Sequence, residues 1–227
     1  MTPPPPPPPP PPSPVAAVAV LVSGDGTNLQ ALLDELPRST PPAARVARVV
    51  SSRPDAGALQ RAQRAGVPTT VLTDPGDPGE LLRALAGADL VVLAGYMKRV
   101  PPAAVAPFRL RMINIHPALL PGFGGAGMYG RRVPEQVLAS GAAISGATVH
   151  YVDEEYDHGP IIAQWPVPVR LGDTPETLAA RVREVEHRLL PLVVTALARL
   201  GIPREPVRLS AAGSAFVTGD ELEIRVQ

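Results

Sequence analysis

The sequence predicts an α/β fold with a mostly parallel, twisted sheet and helices on both faces. Short β-branched and apolar runs alternate with helical patterns, which is typical of β-α-β units. The run at 90–94 is continuously apolar, as expected for a strand covered on both faces. A length of 227 residues with 45% hydrophobic residues is sufficient for one such domain with a sizeable core.

The first half of the chain contains the clearest alternation of elements. We expect strands at residues 15–22, 46–51, 69–72 and 90–94. We expect helices at residues 29–36, 56–65 and 81–85. Proline and glycine separate successive elements, as they do in compact α/β domains. This half therefore has the pattern of a nucleotide-binding type of sheet.

The second half has a different pattern, in which long loops rather than clear helices separate the strands. We expect these strands at residues 111–115, 147–152 and 161–165. A long helix should follow at 174–200, because apolar residues recur three or four apart on one face. Gly201 should end that helix, and residues 207–225 should form a β-hairpin that turns at Thr218-Gly219-Asp220.

The domain organisation is a disordered polyproline extension, residues 1–14, followed by one domain, residues 15–227. Ten consecutive prolines at 3–12 lack amide donors and favour a polyproline II conformation. We interpret this tract as a dispensable start of the chain, in preference to a docking tail of the PxxP type.

Charge and composition exclude several classes of partner and site. Basic and acidic residues both number 21, so the net charge is zero and a nucleic-acid partner is disfavoured. The chain has no cysteine, which excludes disulfides and thiolate catalysis. The apolar run at 15–22 is too short to span a bilayer and lacks the basic flank of a signal peptide. We expect a cytoplasmic protein with no membrane partner.

A glycine-rich loop, Ser23-Gly24-Asp25-Gly26-Thr27-Asn28, joins the first expected strand to the first expected helix. Free amides and the helix dipole make such a junction suitable for a phosphate group. The alternative is a tight turn in which Thr27 or Asn28 caps the helix.

Asn114 and His116 lie at the end of an expected strand, two residues apart and therefore on one face. An amide donor beside an imidazole can stabilise an oxyanion and move a proton, which suits acyl transfer without a covalent nucleophile. A structural role for His116 is the alternative. If Asp157 in the following acidic loop faces His116, it should raise the pKa of that histidine; otherwise the loop is a solvated turn.

Three further features remain open at this level. His150 points inward or outward by strand parity alone, so it is either structural or a support for the site. Arg183 and Glu186 lie three apart on the long helix, which suits an intrahelical pair or a ligand contact. The four histidines lack metal-ligand spacing, so we expect no metal site.

Several segments of the chain, in order from Val18 to Pro191, resemble one known family. They are VAVLVSGDGTNLQALLD, VVLAGYMKRV, INIHPALLPGFGG with GMYG, ATVHYVDEEYDHGPIIAQ and EHRLLPLV. The chain thus resembles the glycinamide ribonucleotide formyltransferases among the folate-dependent formyltransferases. The resemblance implies a formyltransferase-type nucleotide-binding fold and transfer of a formyl group from 10-formyltetrahydrofolate to the amine of phosphoribosylglycinamide in purine synthesis, without a metal.

The resemblance also implies roles for individual residues. His116 would be the general acid, Asn114 would polarise the formyl oxygen, and Asp157 would hold His116 protonated. The acceptor would be bound by Gly26, Thr27, Asn28, Arg183, Glu184, Val185 and Glu186. The reduced folate would be bound by Met97, Lys98, Arg99, Val100, Asn114, Asp153, Glu154, Glu155, Tyr156 and Asp157.

The chain departs from the family pattern in two places. Residues 74–88 offer no clear counterpart to an arginine that contacts the folate, which puts that contact in doubt. Ala126 and Pro134 stand where related sequences often carry lysine and histidine, so contacts on the acceptor side should differ.

Three other functions are alternatives to this one. Methionyl-tRNA formyltransferase adds a basic C-terminal domain, whereas only residues 201–227 follow the long helix here. Formyltetrahydrofolate hydrolase uses water in place of the amine and normally carries an extra N-terminal domain. A catalytically inactive nucleotide-binding module would retain only the glycine-rich loop. We expect small-molecule partners, phosphoribosylglycinamide and a reduced folate, and a monomer or homodimer.

Overall fold

The computed structural model describes residues 15–201, 203, 205–211 and 224–226. Seven strands form its main sheet: β1 (Ala16–Val22), β2 (Ala44–Ser51), β3 (Thr69–Val71), β4 (Leu90–Leu93), β5 (Met112–His116), β6 (Ile144–Tyr151) and β7 (Ile161–Pro168). Their order across the sheet is β3-β2-β1-β4-β5-β6-β7. The first five strands pair in parallel, whereas β6 and β7 are antiparallel. The expected mostly parallel α/β sheet is confirmed.

Six helices accompany the described part of the sheet: α1 (Thr27–Glu35), α2 (Gly57–Arg64), α3 (Pro78–Ala84), α4 (Pro102–Val105), α5 (Arg132–Ala139) and α6 (Pro175–Leu200). The four expected helices correspond to α1, α2, α3 and α6. The expectation that only long loops separate the later strands is wrong at α5. This helix buries Val133 and Val137, one turn apart, and Pro134 is tolerated because first-turn residues need no amide partner.

The two faces of the sheet pack against different helices because side chains alternate along each strand. On β1, Val18, Val20 and Val22 belong to a core that includes residues of α1, α2 and α6. Ala19 and Leu21 point to the other face and belong to a core that includes residues of α3 and α4. Helices therefore cover both faces, as predicted.

The ends of α6 follow the sequence signals. Thr174 and Thr177 form a reciprocal capping box at its start. Gly201, with a φ of 76°, follows its last residue, so the predicted end is confirmed. A further strand, β8 (Leu209–Ala211), pairs in antiparallel fashion with β9 (Ile224–Val226). The expected turn at Thr218-Gly219-Asp220 and the tract 1–14 lie outside the described residues.

The sheet order determines where a ligand site can form. β1 pairs with β2 on one side and with β4 on the other, so the chain leaves β1 and β4 in different directions at their carboxyl ends. In open α/β sheets, ligands bind in the crevice at such a switch point. The predicted site residues are distributed over the β1–α1 junction, the loop after β4, strand β5, the loop after β6 and helix α6.

Candidate active site

A cleft of about 880 Å³ opens at the carboxyl ends of β4 and β5. All ten residues of the expected folate set line it: Met97, Lys98, Arg99, Val100, Asn114, Asp153, Glu154, Glu155, Tyr156 and Asp157. From the expected acceptor set, Asn28, Arg183 and Glu186 line it as well. Gly26, Thr27, Glu184 and Val185 are outside this lining. The cleft thus brings together residues from distant parts of the sequence.

Strand β5 carries Asn114 and His116 on one face of the sheet, as the alternation predicted. His116 is only 3% exposed. Its Nε2 lies 2.8 Å from the carbonyl oxygen of Phe123, to which it donates a hydrogen bond. Phe123 has a φ of 55°, an uncommon value for a residue with a side chain. Sequence reasoning missed this turn, although the neighbouring glycines Gly124 and Gly125 signal unusual backbone.

Asp157 lies in the loop after β6 and faces both β5 side chains. One carboxylate oxygen, Oδ2, lies 3.5 Å from Nδ1 of His116 and accepts a 2.9 Å hydrogen bond from the Gly125 amide. The other oxygen, Oδ1, lies 3.4 Å from Nδ2 of Asn114. Burial raises the pKa of Asp157, but His150, His116 and the Gly125 amide together hold it below its ordinary value. The carboxylate is therefore charged at neutral pH.

Asp157 raises the pKa of His116, as predicted, but the net pKa lies below its ordinary value in the free protein, so the expectation that Asp157 holds His116 protonated is not met there. Burial lowers this pKa, and it outweighs the opposing effects of the Asp157 charge and the Phe123 carbonyl. The charge of His150 lowers it further. Asp157 still acts in the predicted direction, because a nearby carboxylate favours the imidazolium form. The imidazole of His116 is consequently neutral at pH 7 in the absence of ligand.

His150, which sequence parity left open, belongs to the same cluster. It is 2% exposed and pairs across the sheet with Asn114. Its Nδ1 donates to the carbonyl of Tyr151 at 2.8 Å, and its Nε2 lies 3.1 Å from Nδ2 of Asn114 and 3.6 Å from Oδ1 of Asp157.

The β6–β7 register shifts between Val149 and His150. The extra residue, Ile162, lies in β7, so the alternation of β6 continues through His150. Because β6 is buried at every position from Ser145 to Tyr151, parity alone could not show which face of the sheet carries the site.

The glycine-rich loop between β1 and α1 departs from the tight-turn alternative. Gly26, not Thr27 or Asn28, is the N-cap of α1, with a φ of 73° and no side-chain capping bond. A Cβ atom at Gly26 would lie 2.5 Å from Cβ of Ala58, whereas a Cβ at Gly24 meets nothing within 4 Å. Gly26 is therefore required by the backbone and by packing against α2. The start of α1 has no side-chain oxygen that competes for its amides.

Glu186 on α6 and Asn28 on α1 form a second polar group in the cleft. Glu186 is 8% exposed, and Nδ2 of Asn28 lies 3.2 Å from its Oε2. Burial raises the pKa of Glu186 to about 7, against smaller opposing effects of Asn28 and Arg183. Within the described residues, Oδ1 of Asn28 has no hydrogen-bond partner. A ligand with hydroxyl groups would donate hydrogen bonds to Oδ1 of Asn28 and to the carboxyl of Glu186.

Two other findings concern classes of site and partner. Among the described residues, no group of three or more His, Cys, Asp or Glu side chains is arranged to hold a metal ion. None of the helices in the described ranges has the length and apolar character needed to cross a membrane.

A family model for formyl transferases matches residues 16–194. The chain belongs to the formyl transferase family. The match includes the whole lining of the cleft, from Asn28 to Glu186. The cluster of Asn114, His116 and Asp157 and the buried Glu186 therefore lie within the part of the chain that the family model matches.

Several similar proteins and structures are described as phosphoribosylglycinamide formyltransferases or glycinamide ribonucleotide transformylases. Chloroplastic phosphoribosylglycinamide formyltransferase of Arabidopsis thaliana is 43% identical over 189 residues, 79% of this chain and 64% of that protein. Phosphoribosylglycinamide formyltransferase of Haemophilus influenzae is 40% identical, over 78% of this chain and 84% of that protein. Glycinamide ribonucleotide transformylase 1 of Symbiobacterium toebii has a TM-score of 0.75 and 41% identity, over 88% of this chain and 92% of that one. The chain spans less than two thirds of the plant relative.

Proposed function

We propose that this formyl transferase moves the formyl group of 10-formyltetrahydrofolate to the amine of phosphoribosylglycinamide, a step of purine biosynthesis. One observation carries the proposal: the Asn114–His116–Asp157 cluster shares a cleft with the buried pair Glu186 and Asn28. The cluster suits acyl transfer without a covalent nucleophile. The buried pair suits an acceptor that carries hydroxyl groups. Relatives described as phosphoribosylglycinamide formyltransferases support the choice of acceptor.

The proposed reaction has a simple atom balance. The acceptor nitrogen forms a bond to the formyl carbon, and the bond between that carbon and the folate nitrogen breaks. One proton leaves the attacking amine and one arrives at the folate nitrogen, so no proton is consumed overall. The products are the formylated acceptor and tetrahydrofolate. Alignment of two bound substrates supplies part of the acceleration.

Asn114 and His116 stabilise the negative charge that develops on the formyl oxygen. In the free protein, burial keeps the pKa of His116 low. A negative charge on the formyl oxygen beside the ring has the opposite effect: it raises the pKa of His116 and favours the protonated ring. The stabilisation is thus largest when the charge has developed, which is the condition for accelerating the chemical step. Both ring nitrogens have an oxygen neighbour in the free protein, the Phe123 carbonyl and Asp157. The proposed reaction therefore requires His116 to exchange the Phe123 carbonyl for the formyl oxygen when the substrates bind.

Asp157 acts on this step through charge. Its carboxylate stays ionised because its pKa is held below the ordinary value. It can therefore stabilise a positive charge on His116 as the oxyanion forms. The amide of Gly125 holds one of its oxygens at 2.9 Å, so the carboxylate keeps its orientation while the substrates react.

The acceptor subsite is proposed to lie at Asn28, Arg183 and Glu186. The free amides at the start of α1 suit a phosphate group, and the guanidinium of Arg183 adds a positive charge at the same cleft. The carboxyl of Glu186 and Oδ1 of Asn28 would accept hydrogen bonds from ribose hydroxyl groups. Ala126 and Pro134 also line the cleft, so the charged contacts that lysine and histidine make at these positions are replaced by small apolar surfaces.

The folate subsite is proposed to lie between the loop after β4 and the acidic loop after β6. Arg99 joins the two loops, because its guanidinium donates to the carbonyl of Glu154 at 2.8 Å. No residue of 74–88 lines the cleft, so an arginine contact with the folate from this stretch has no support. Arg83, in that stretch, lies 3.8 Å from Asp77 and does not line the cleft.

The test is a spectrophotometric assay of tetrahydrofolate formation from 10-formyltetrahydrofolate. We expect product only when phosphoribosylglycinamide is present. Product without any acceptor would instead indicate a hydrolase, and product with an aminoacyl-tRNA alone would indicate a different acceptor. Binding of phosphoribosylglycinamide without turnover would indicate an inactive nucleotide-binding module.

Cellular location and assembly are proposals of the same kind. We propose a cytoplasmic enzyme that is a monomer or homodimer. Because relatives include chloroplastic plant proteins, cell fractionation tests the first statement. Sedimentation equilibrium of the purified chain tests the second.

A further inference from the structure

Ser23, the residue that follows β1, connects the ends of three neighbouring strands. Its Oγ lies 2.6 Å from Oγ of Ser52, which follows β2. The same atom accepts a 2.8 Å hydrogen bond from the amide of Met97, which follows β4. Ser23 is 5% exposed. The buried hydroxyl of Ser23 thus connects the ends of β1 and β2 to Met97, which lines the cleft. The reaction proposed above does not use this hydroxyl.

The Met97 segment depends on this junction for its position. The chain turns at Gly95, where φ is 73°, immediately after the sheet ladder of β4 ends. On the β4 side of the turn, the Ala94 amide is held by the carbonyl of Leu21. On the other side, the Met97 amide is held by the Ser23 hydroxyl. Met97 is 52% exposed and lines the cleft. The hydrogen bond from its amide to Ser23 therefore fixes the backbone of a segment whose side chains form one wall of the cleft.

We propose that Ser23 is a positioning residue for the folate wall. It holds the Met97 amide so that residues 97–100 form one side of the folate subsite. This inference rests on the proposed function for the identity of the ligand. It assigns to the first residue of the glycine-rich loop a task on the folate side of the cleft, separate from any contact of that loop with the acceptor phosphate.

A purely structural role for Ser23 makes different predictions, and the chain offers matched controls. Ser51 is a fully buried serine at the end of β2, and its hydroxyl bonds only with the backbone of Arg53 among the described residues. Ser51→Ala therefore removes a buried hydroxyl without touching Met97. Ser52→Ala removes the partner hydroxyl of Ser23 but leaves the Met97 bond in place.

The experiment measures tetrahydrofolate affinity, phosphoribosylglycinamide affinity and amide hydrogen exchange at Met97 in the three alanine variants. Ser23→Ala should weaken tetrahydrofolate binding about tenfold, because the Met97 amide loses its hydrogen-bond acceptor and the backbone of residues 97–100 is no longer held in place. It should also speed exchange at Met97 and change acceptor affinity much less. Ser51→Ala and Ser52→Ala should keep tetrahydrofolate affinity near the wild-type value. If Ser23→Ala is poorly folded, Ser23→Cys, with a similar size and a weak acceptor, should show the same selectivity.

The proposal is overturned if Ser23→Ala leaves tetrahydrofolate affinity or Met97 exchange unchanged. It is also overturned if both substrates weaken equally, since that result indicates general loss of structure. Met97 exchange needs no substrate, so it judges the role of Ser23 even if the wild-type chain fails to transfer a formyl group. That second failure would count against the proposed function alone.

Discussion

Two acids of the cleft, the buried Glu186 and the partly buried Asp157, have pKa values that move in opposite directions. Glu186 meets one amide donor, Asn28, and burial raises its pKa to about 7. Burial also raises the pKa of Asp157, but His150, His116 and the Gly125 amide more than offset it. The number of donors around each carboxylate therefore determines its charge. Near neutral pH, Asp157 is ionised while Glu186 is partly protonated.

Glu186→Gln should stabilise the free protein above pH 7. The raised pKa of Glu186 means that the folded state favours the protonated acid. The stability that the wild-type carboxyl contributes is therefore fully present below its unfolded pKa of about 4.5, and it is lost as pH rises through its folded pKa of about 7. A glutamine keeps a neutral side chain at every pH. We expect the variant to gain up to about 3 kcal/mol at pH 8.5 and little at pH 4.5, measured by urea unfolding.

The same substitution should weaken acceptor binding at pH 8.5, because it removes a charged acceptor for hydroxyl groups. Glu35 on α1 is exposed and outside the cleft lining, so Glu35→Gln serves as the control and should change both quantities little. Equal unfolding free energies for wild type and Glu186→Gln at pH 8.5 would contradict the burial argument.

At the scale of elements, the turn into α1 separates two glycines that look equivalent in sequence. Gly26→Ala should lower the melting temperature, because the new Cβ meets Ala58 at 2.5 Å and the residue has a φ of 73°. Gly24→Ala should fold normally, since a Cβ there meets nothing within 4 Å. Differential scanning calorimetry of both variants is the measurement. A smaller loss for Gly26→Ala than for Gly24→Ala would contradict the packing described.

Close approach of a phosphate group cannot be the only constraint on Gly26, because a Cβ atom there would meet Ala58. A substitution at Gly26 disturbs the contact between the loop and α2, so both substrates should be affected. Gly24→Ala is the cleaner probe of the acceptor subsite, and its effect should be confined to the Michaelis constant of phosphoribosylglycinamide.

The elements of the parallel half could be predicted from sequence because each buried strand is marked by a short apolar run. Strand β4, for example, is apolar and buried at all four positions. Helix α5 was missed because eight residues with two fully buried valines give too weak a period. The direction of His150 could not be predicted either, since β6 is buried on both faces and its sequence does not show which face carries the site.

At the scale of the whole molecule, the domain is proposed to function without its first residues. The family match begins at residue 16, and a proline tract lacks amide donors for helix or sheet pairing. Deletion of residues 1–13 should therefore leave turnover and melting temperature nearly unchanged. A large loss of either quantity would contradict the proposed single domain at 15–227.

The arrangement of the site was partly visible in the sequence. The pairing of Asp157 with His116 was expected from the family resemblance, but strand geometry does not dictate it. Strand β6 is antiparallel to β5 and ends beside the start of β5, so the loop after β6 has to fold back to bring Asp157 to His116. The pKa of His116 could not be predicted, because its direction depends on how deeply the ring is buried and on the Phe123 carbonyl beside it. Neither quantity follows from the spacing of residues.

The most direct test of the account is single-turnover formyl transfer by wild type and Asp157→Asn, beside an NMR titration of His116. Removal of the Asp157 charge should lower the already depressed pKa of His116 further, since that charge raises it. Turnover should fall by about 10² to 10⁴, the range for a positioned acid or base, while both substrates still bind. Undiminished turnover, or a His116 pKa that does not fall, would contradict the account.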